Sequence, residues 1–203
     1  MARMTLEQLW ISATRLAPWR RNYTQSPKRQ ITQIVPFAGT KTVLFTGSFW
    51  GLTENSIHAS NILIMNCEII EEQTTPPPQP QTQELTVIPD EEVNKAAEQQ
   101  PYGGTQPPYD STTHFRASYG GRNYWIKKID MRRQPVLVRC SCSDYFFTWG
   151  YYNYINGVQF GGRQRPYIRK TRTYPPRNPV KVTGICKHLS SFSQMLQTSG
   201  FAI

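Results

Sequence analysis

Val136-Leu137-Val138-Arg139-Cys140-Ser141-Cys142 and Gly184-Ile185-Cys186-Lys187-His188-Leu189, with 43 residues between Cys142 and Cys186, are the two stretches that decide the fold. The first is an apolar run that predicts a strand over 136–140. The second leads into a helix predicted over 188–198, with Leu189, Phe192, Met195 and Leu196 on one face and Gly200 as its stop. In extended backbone, residues i and i+2 point the same way, so Cys140 and Cys142 can grip one ion. Cys186 and His188 can do the same in the turn before the helix, where Gly184 is expected to let the backbone bend. The positive end of that helix favours thiolates nearby. Three sulfurs and one imidazole suit tetrahedral zinc. An iron–sulfur cluster is the rival, because histidine can replace cysteine at iron. With four protein ligands the site reads as closed and structural.

The remainder of the chain suggests why a staple is needed. It has 203 residues, a net charge of +10, 38% hydrophobic residues, 13 glycines and 16 prolines. That composition favours an α+β fold, mostly β and irregular. Charge falls into three zones: +4 over residues 1–70, −7 over 71–113 and +13 over 114–203. These match three expected units: an N-terminal helix and β-rich domain (1–70), an acidic Pro/Gln-rich linker or arm (71–113), and a basic metal-stapled ββα-like domain (114–203). A unit of about 90 residues rich in Gly, Pro and Arg has a marginal core, and such units often add a metal. Removing the metal is therefore expected to unfold 114–203 and spare the first unit.

In the first unit, Thr5 and Gln8 fit a capping box, and Leu6, Leu9, Trp10, Ala13 and Leu16 share a helical face before Pro18. Strands are predicted over 31–37, 41–49 and 57–70, with turns at Gly39, Gly47 and Gly51. The apolar run 62–65 is expected to be covered on both faces. In the linker, Pro76-Pro77-Pro78-Gln79-Pro80 and Pro107-Pro108 keep the chain extended. Residues 85–88 suit an added strand and 91–99 one short helix; a disordered linker and an arm that orders on a partner both remain open. In the last unit, 124–129 and the aromatic run 145–154 are predicted as strands, with a reversal at Asn156-Gly157 into 158–160.

No apolar run is long enough to span a bilayer, and the first residues lack a signal-peptide layout, so a soluble protein made in a reducing cytoplasm is expected. Cys67 reads as a buried small hydrophobe, Asp144 as a turn cap, and His58 and His114 as surface or loop residues. Arg163, Arg165, Arg169, Lys170, Arg172 and Tyr174 lie between the ligand pairs and are the candidate partner-binding residues. Arg and Tyr anchor protein interfaces, and they also bind phosphates and stack on bases. No phosphate-cradling loop or nucleophile elbow is present, so no enzyme is expected.

The Cys-x-Cys, spacer, Cys-x-His arrangement resembles the SWIM-type zinc motif, although its spacer is longer than usual. The resemblance implies zinc, and nucleic-acid or protein binding. The stretch Val136-Leu-Val-Arg-Cys-Ser-Cys-Ser-Asp-Tyr-Phe-Phe, with Pro175-Pro-Arg-Asn-Pro and Gly184-Ile-Cys-Lys-His-Leu, resembles small virion proteins of tailed bacteriophages, nearest those of cyanophage-like viruses with contractile tails. That resemblance covers mainly residues 136–190. It implies a structural component of a phage particle (baseplate, tail or neck), other virion proteins as partners, and location in the virion.

Overall fold

The structure, a computed structural model, describes residues 4–16, 29–50, 56–72, 110–168, 170 and 176–203. It is a mixed α+β fold, mostly strand. Helix α1 (Leu6–Leu16) starts at the expected capping box: Thr5 N donates to Gln8 Oε1 at 3.0 Å, and Gln8 N donates to Thr5 Oγ1 at 3.3 Å. Leu6, Leu9 and Ala13 are buried, whereas Trp10, expected on the same face, is 41% exposed.

Strands β1 (Arg29–Phe37), β2 (Thr42–Trp50), β3 (Ile57–Ile64) and β7 (Val136–Cys140) form an antiparallel sheet in the order β1-β2-β3-β7. Strands β4 (Ile69–Glu71), β5 (His114–Tyr119) and β6 (Arg122–Lys127) form a second sheet in the order β4-β6-β5. Gly120 and Gly121, at φ 59° and 75°, make the β5–β6 turn. Gly47, expected in a turn, instead sits inside β2. A Cβ there would stand 2.8 Å from Phe49 and 3.0 Å from the Phe192 ring, so the position is small because a helix packs onto it.

The predicted strand 57–70 is two strands in two sheets. Asn66, at φ 57°, takes the left-handed conformation between them. Coverage on both faces also fails: Ser60, Ile62 and Ile64 form a buried row, while Asn61 and Leu63 on the other face are half-buried.

The predicted strand 145–154 is helical, a π-helical turn (Tyr145–Gly150) running into α2 (Tyr151–Ile155). Its buried side chains Tyr145, Thr148, Trp149 and Asn153 fall at i, i+3, i+4 and i+8, a helical period hidden under aromatic, strand-favouring composition. Gly157, at φ 67°, then turns the chain. The next segment lies parallel beside β7, with Val138 N donating to Val158 O at 2.8 Å and Phe160 N to Val138 O at 3.1 Å. That covers the sheet edge β7 would otherwise expose. The last helix, α3 (Lys187–Thr198), packs through Phe192 on Phe49, with ring centroids 5.1 Å apart.

The expected division into separate units at 70 and 114 is not how the described chain packs. β3 and β7 pair from Ser60 opposite Cys140 to Ile64 opposite Val136. One buried cluster takes in Leu6, Phe45 and Ile62 together with Val138, Trp149 and Leu196. The apolar row of β3 faces the core only when β7 and α3 cover it. The expected linker, with its strand at 85–88 and helix at 91–99, falls on 73–109, outside the described residues. Among the described residues, no helix is long and apolar enough to cross a membrane.

Candidate metal centre

Strand β7 ends at Cys140, and α3 begins just after Cys186. The pairing of β7 with β3 and the packing of Phe192 on Phe49 bring these two ends together. The ligand atoms of Cys140, Cys142, Cys186 and His188 all lie within 4.8 Å of one another. A tetrahedron with arms of about 2.3 Å has edges of about 3.8 Å, so small side-chain shifts would close the four around one ion. Cys140 Sγ already lies 3.8 Å from His188 Nδ1. The four residues are 4%, 3%, 0% and 2% exposed. They are close enough to bind a metal ion.

The surroundings suit thiolates. Ser60 Oγ donates to Cys140 Sγ at 3.3 Å, Cys142 N donates to the same sulfur at 3.5 Å, and Tyr145 N donates to Cys142 Sγ at 3.3 Å. Cys140 is held well below the ordinary thiol range, first by the Cys142 side chain and then by that of Cys186. Cys186 is held well above it, first by burial and then by the adjoining Cys140 and Cys142 sulfurs. Burial opposes ionised sulfur at this depth, and a divalent ion would offset that cost. His188 Nδ1 is the ring nitrogen placed 3.8 Å from Cys140 Sγ, and its Nε2 is buried with no hydrogen-bond partner.

The frame around the centre rests on two buried asparagines. Asn153 Nδ2 donates to Gly184 O at 2.8 Å, and Gly184 N donates to Asn153 Oδ1 at 3.0 Å. Asn178 Nδ2 donates to Thr148 O at 3.0 Å and to Val182 O at 2.7 Å. Together they tie the helical segment 145–155 to the chain approaching Cys186. Gly184 serves close packing rather than the expected bend: a Cβ there would stand 2.5 Å from the Trp149 ring. Tyr145 Oη donates to Val138 O at 2.7 Å, and burial raises its phenol pKa.

Two neighbours of the centre were not legible as such. Ser60 and His58 project to the same side of β3, the side that faces Cys140. His58, expected on the surface or in a loop, lies in a strand with its ring 4.6 Å from that of His188. Burial, and then the charge of His188, lower its pKa. The signal was available only through strand register, since Ser60 and Cys140 are 80 positions apart. Cys67 is buried but stands apart from the cluster, its Sγ 3.5 Å from Ile64 O; burial pushes its thiol up to about 12. Asp144 stands where the π-helical turn begins, accepting from Thr148 Oγ1 at 3.2 Å.

Of the candidate partner-binding residues, Arg163, Arg165 and Lys170 are exposed, whereas Arg169, Arg172 and Tyr174 lie outside the described residues. Gln164 is buried between Arg163 and Arg165, so both arginines share the outer side of an extended segment. That segment leads to Tyr167, which packs on Phe147 at 4.5 Å, and Arg177 lies 5.5 Å over the same ring. Phe146, Tyr167 and Ile168 are exposed beside them.

No family model, curated protein or solved structure matches this chain.

Proposed function

We propose that the chain is a zinc-stapled structural protein of a large assembly, a component of a phage particle (baseplate, tail or neck) that joins neighbouring subunits. The observation that carries this reading is the meeting of four buried ligand atoms from two distant segments. Four protein ligands leave no open position for water or substrate, which is the arrangement of structural zinc. A multi-iron cluster would hold its ligands farther apart than a single ion does, so the closeness of the four favours zinc. The phage assignment draws on the resemblance over residues 136–190.

The contact surface is the insertion between the ligand pairs. Among the described residues, Arg163, Arg165, Lys170, Arg177 and Lys181 make no ion pair, and exposed Phe146, Tyr167 and Ile168 lie along the same insertion. Arginines and aromatic rings of this kind anchor protein interfaces. The same unpaired cations favour a second reading, a SWIM-like nucleic-acid-binding protein.

Two experiments test the proposal. Native mass spectrometry of the full chain should find one zinc in a colourless sample; a brown sample carrying iron would reject zinc. Proteomics of purified particles of the encoding virus should find the chain at a fixed copy number, and its absence would reject the virion role. Tight DNA binding that weakens steeply with added salt would favour the second reading instead.

A further inference from the structure

The four ligands are almost wholly shielded from solvent, so an ion must pass some side chain to reach them. Directly at their edge stands His58. On β3 the core-facing row runs Ile64, Ile62, Ser60, His58, and its burial ends at Ser60, leaving His58 half-buried. The β3–β7 pairing brings Ser60 opposite Cys140. Beyond that pair, Ser141 N donates to Ala59 O at 2.9 Å, and Ala59 N donates to Ser141 Oγ at 3.0 Å. These two bonds hold His58 at the level of Cys142. On its other side β3 pairs with β2, where Phe49 is opposite His58 and packs against both His188 and Phe192. The half-buried His58 ring therefore has its centroid 4.6 Å from that of buried His188.

We infer that His58 is a transient fifth ligand, the relay through which a zinc ion enters and leaves the buried Cys140, Cys142, Cys186 and His188 site. This rests on the zinc reading above. An imidazole can take an ion from water by exchanging one coordinated water for a ring nitrogen. It can then pass the ion on as the thiols release their protons to solvent and their sulfurs replace the remaining waters, with His188 finally displacing the His58 nitrogen. Such a residue lowers a barrier without belonging to the final ligand shell. It must therefore change loading and release by the same factor and leave affinity unchanged.

The test compares the full-length chain with His58→Phe, which keeps a ring against His188 but cannot ligate, and His58→Cys, which restores a ligand. Zinc uptake by the metal-free chain and zinc transfer from the loaded chain to a chromophoric chelator are followed by stopped flow. His58→Phe should slow both about tenfold or more with unchanged equilibrium affinity and one zinc per chain, and His58→Cys should recover most of the rate. Unchanged rates in His58→Phe would overturn the relay while leaving the zinc site standing. So would a weaker affinity at an unchanged loading rate, which would make His58 a supporting residue only. A wild-type chain that takes up no zinc would overturn the site itself, and the relay with it. Should His58→Phe fail to fold, His58→Asn, a smaller and poorer zinc ligand, carries the same expectations.

Discussion

The small sheet β4-β6-β5 and the insertion between Cys142 and Cys186 both carry several cations, and each is held in a different way. In the small sheet the backbone ladder does the holding, and cations find carboxylates: Arg116 with Glu72, Arg122 with Glu71 and Lys127 with Glu68. In the insertion there is little ladder. Asn153, Asn178, the Trp149–Gly184 contact and the buried cluster of Cys140, Cys142, Cys186 and His188 fix its path, and its described arginines and Lys170 have no ion pair among the described residues. A ladder spreads its stability over many equivalent bonds. The insertion concentrates it at a few side chains.

The comparison is broken most severely at the metal. Cys186→Ser, or a strong chelator, should destabilise the chain by on the order of 5 kcal/mol or more, because metal binding is folding free energy. Hydrogen exchange should show protection lost first across 141–198 and last in the β5–β6 hairpin. Equal loss in both regions would show that the small sheet has no independent hold. Because β3 pairs with β7, the N-terminal strands should be weakened as well, against the expectation that 1–70 is spared.

Single side chains of the insertion come next. Gly184→Ala places a methyl against the buried Trp149 ring and should cost about 2–3 kcal/mol by denaturant unfolding. Asn153→Ala strands the N–H and C=O of Gly184 and should cost about 2–3 kcal/mol. By contrast, removing an exposed pair of the small sheet, as in Glu71→Ala, should cost less than about 0.5 kcal/mol. A larger loss from Glu71→Ala than from Asn153→Ala would invert the comparison.

Cys67 offers a control outside the metal cluster. Its pKa is raised on folding, so the folded chain holds a proton that the unfolded chain releases. Its contribution to stability is full below the ordinary thiol value of 9.0 and is lost as pH rises through about 12. Unfolding free energy should therefore fall over that window, and Cys67→Ala should flatten part of the fall.

What could be read in advance follows the same divide. The α1 capping box, β7 and the four ligands are written in local spacing, and the sequence shows them directly. The helix at 145–155 was not legible because Tyr, Phe and Trp favour strands, which masked the spacing of Tyr145, Thr148, Trp149 and Asn153. β5 escaped notice because its six residues alternate weakly, with only Phe115 and Ala117 buried. His58 and Ser60 became neighbours of the centre only through strand register, which no local pattern encodes. Asn153 and Asn178 read as loop residues, and only their burial reveals what they hold together.

X-ray absorption at the zinc edge of the full chain measures the ligand shell itself. One zinc per chain with three sulfurs at about 2.3 Å and one nitrogen at about 2.0 Å is the predicted result. A chain that stays metal-free in zinc-containing buffer, or a shell dominated by oxygen, would contradict it.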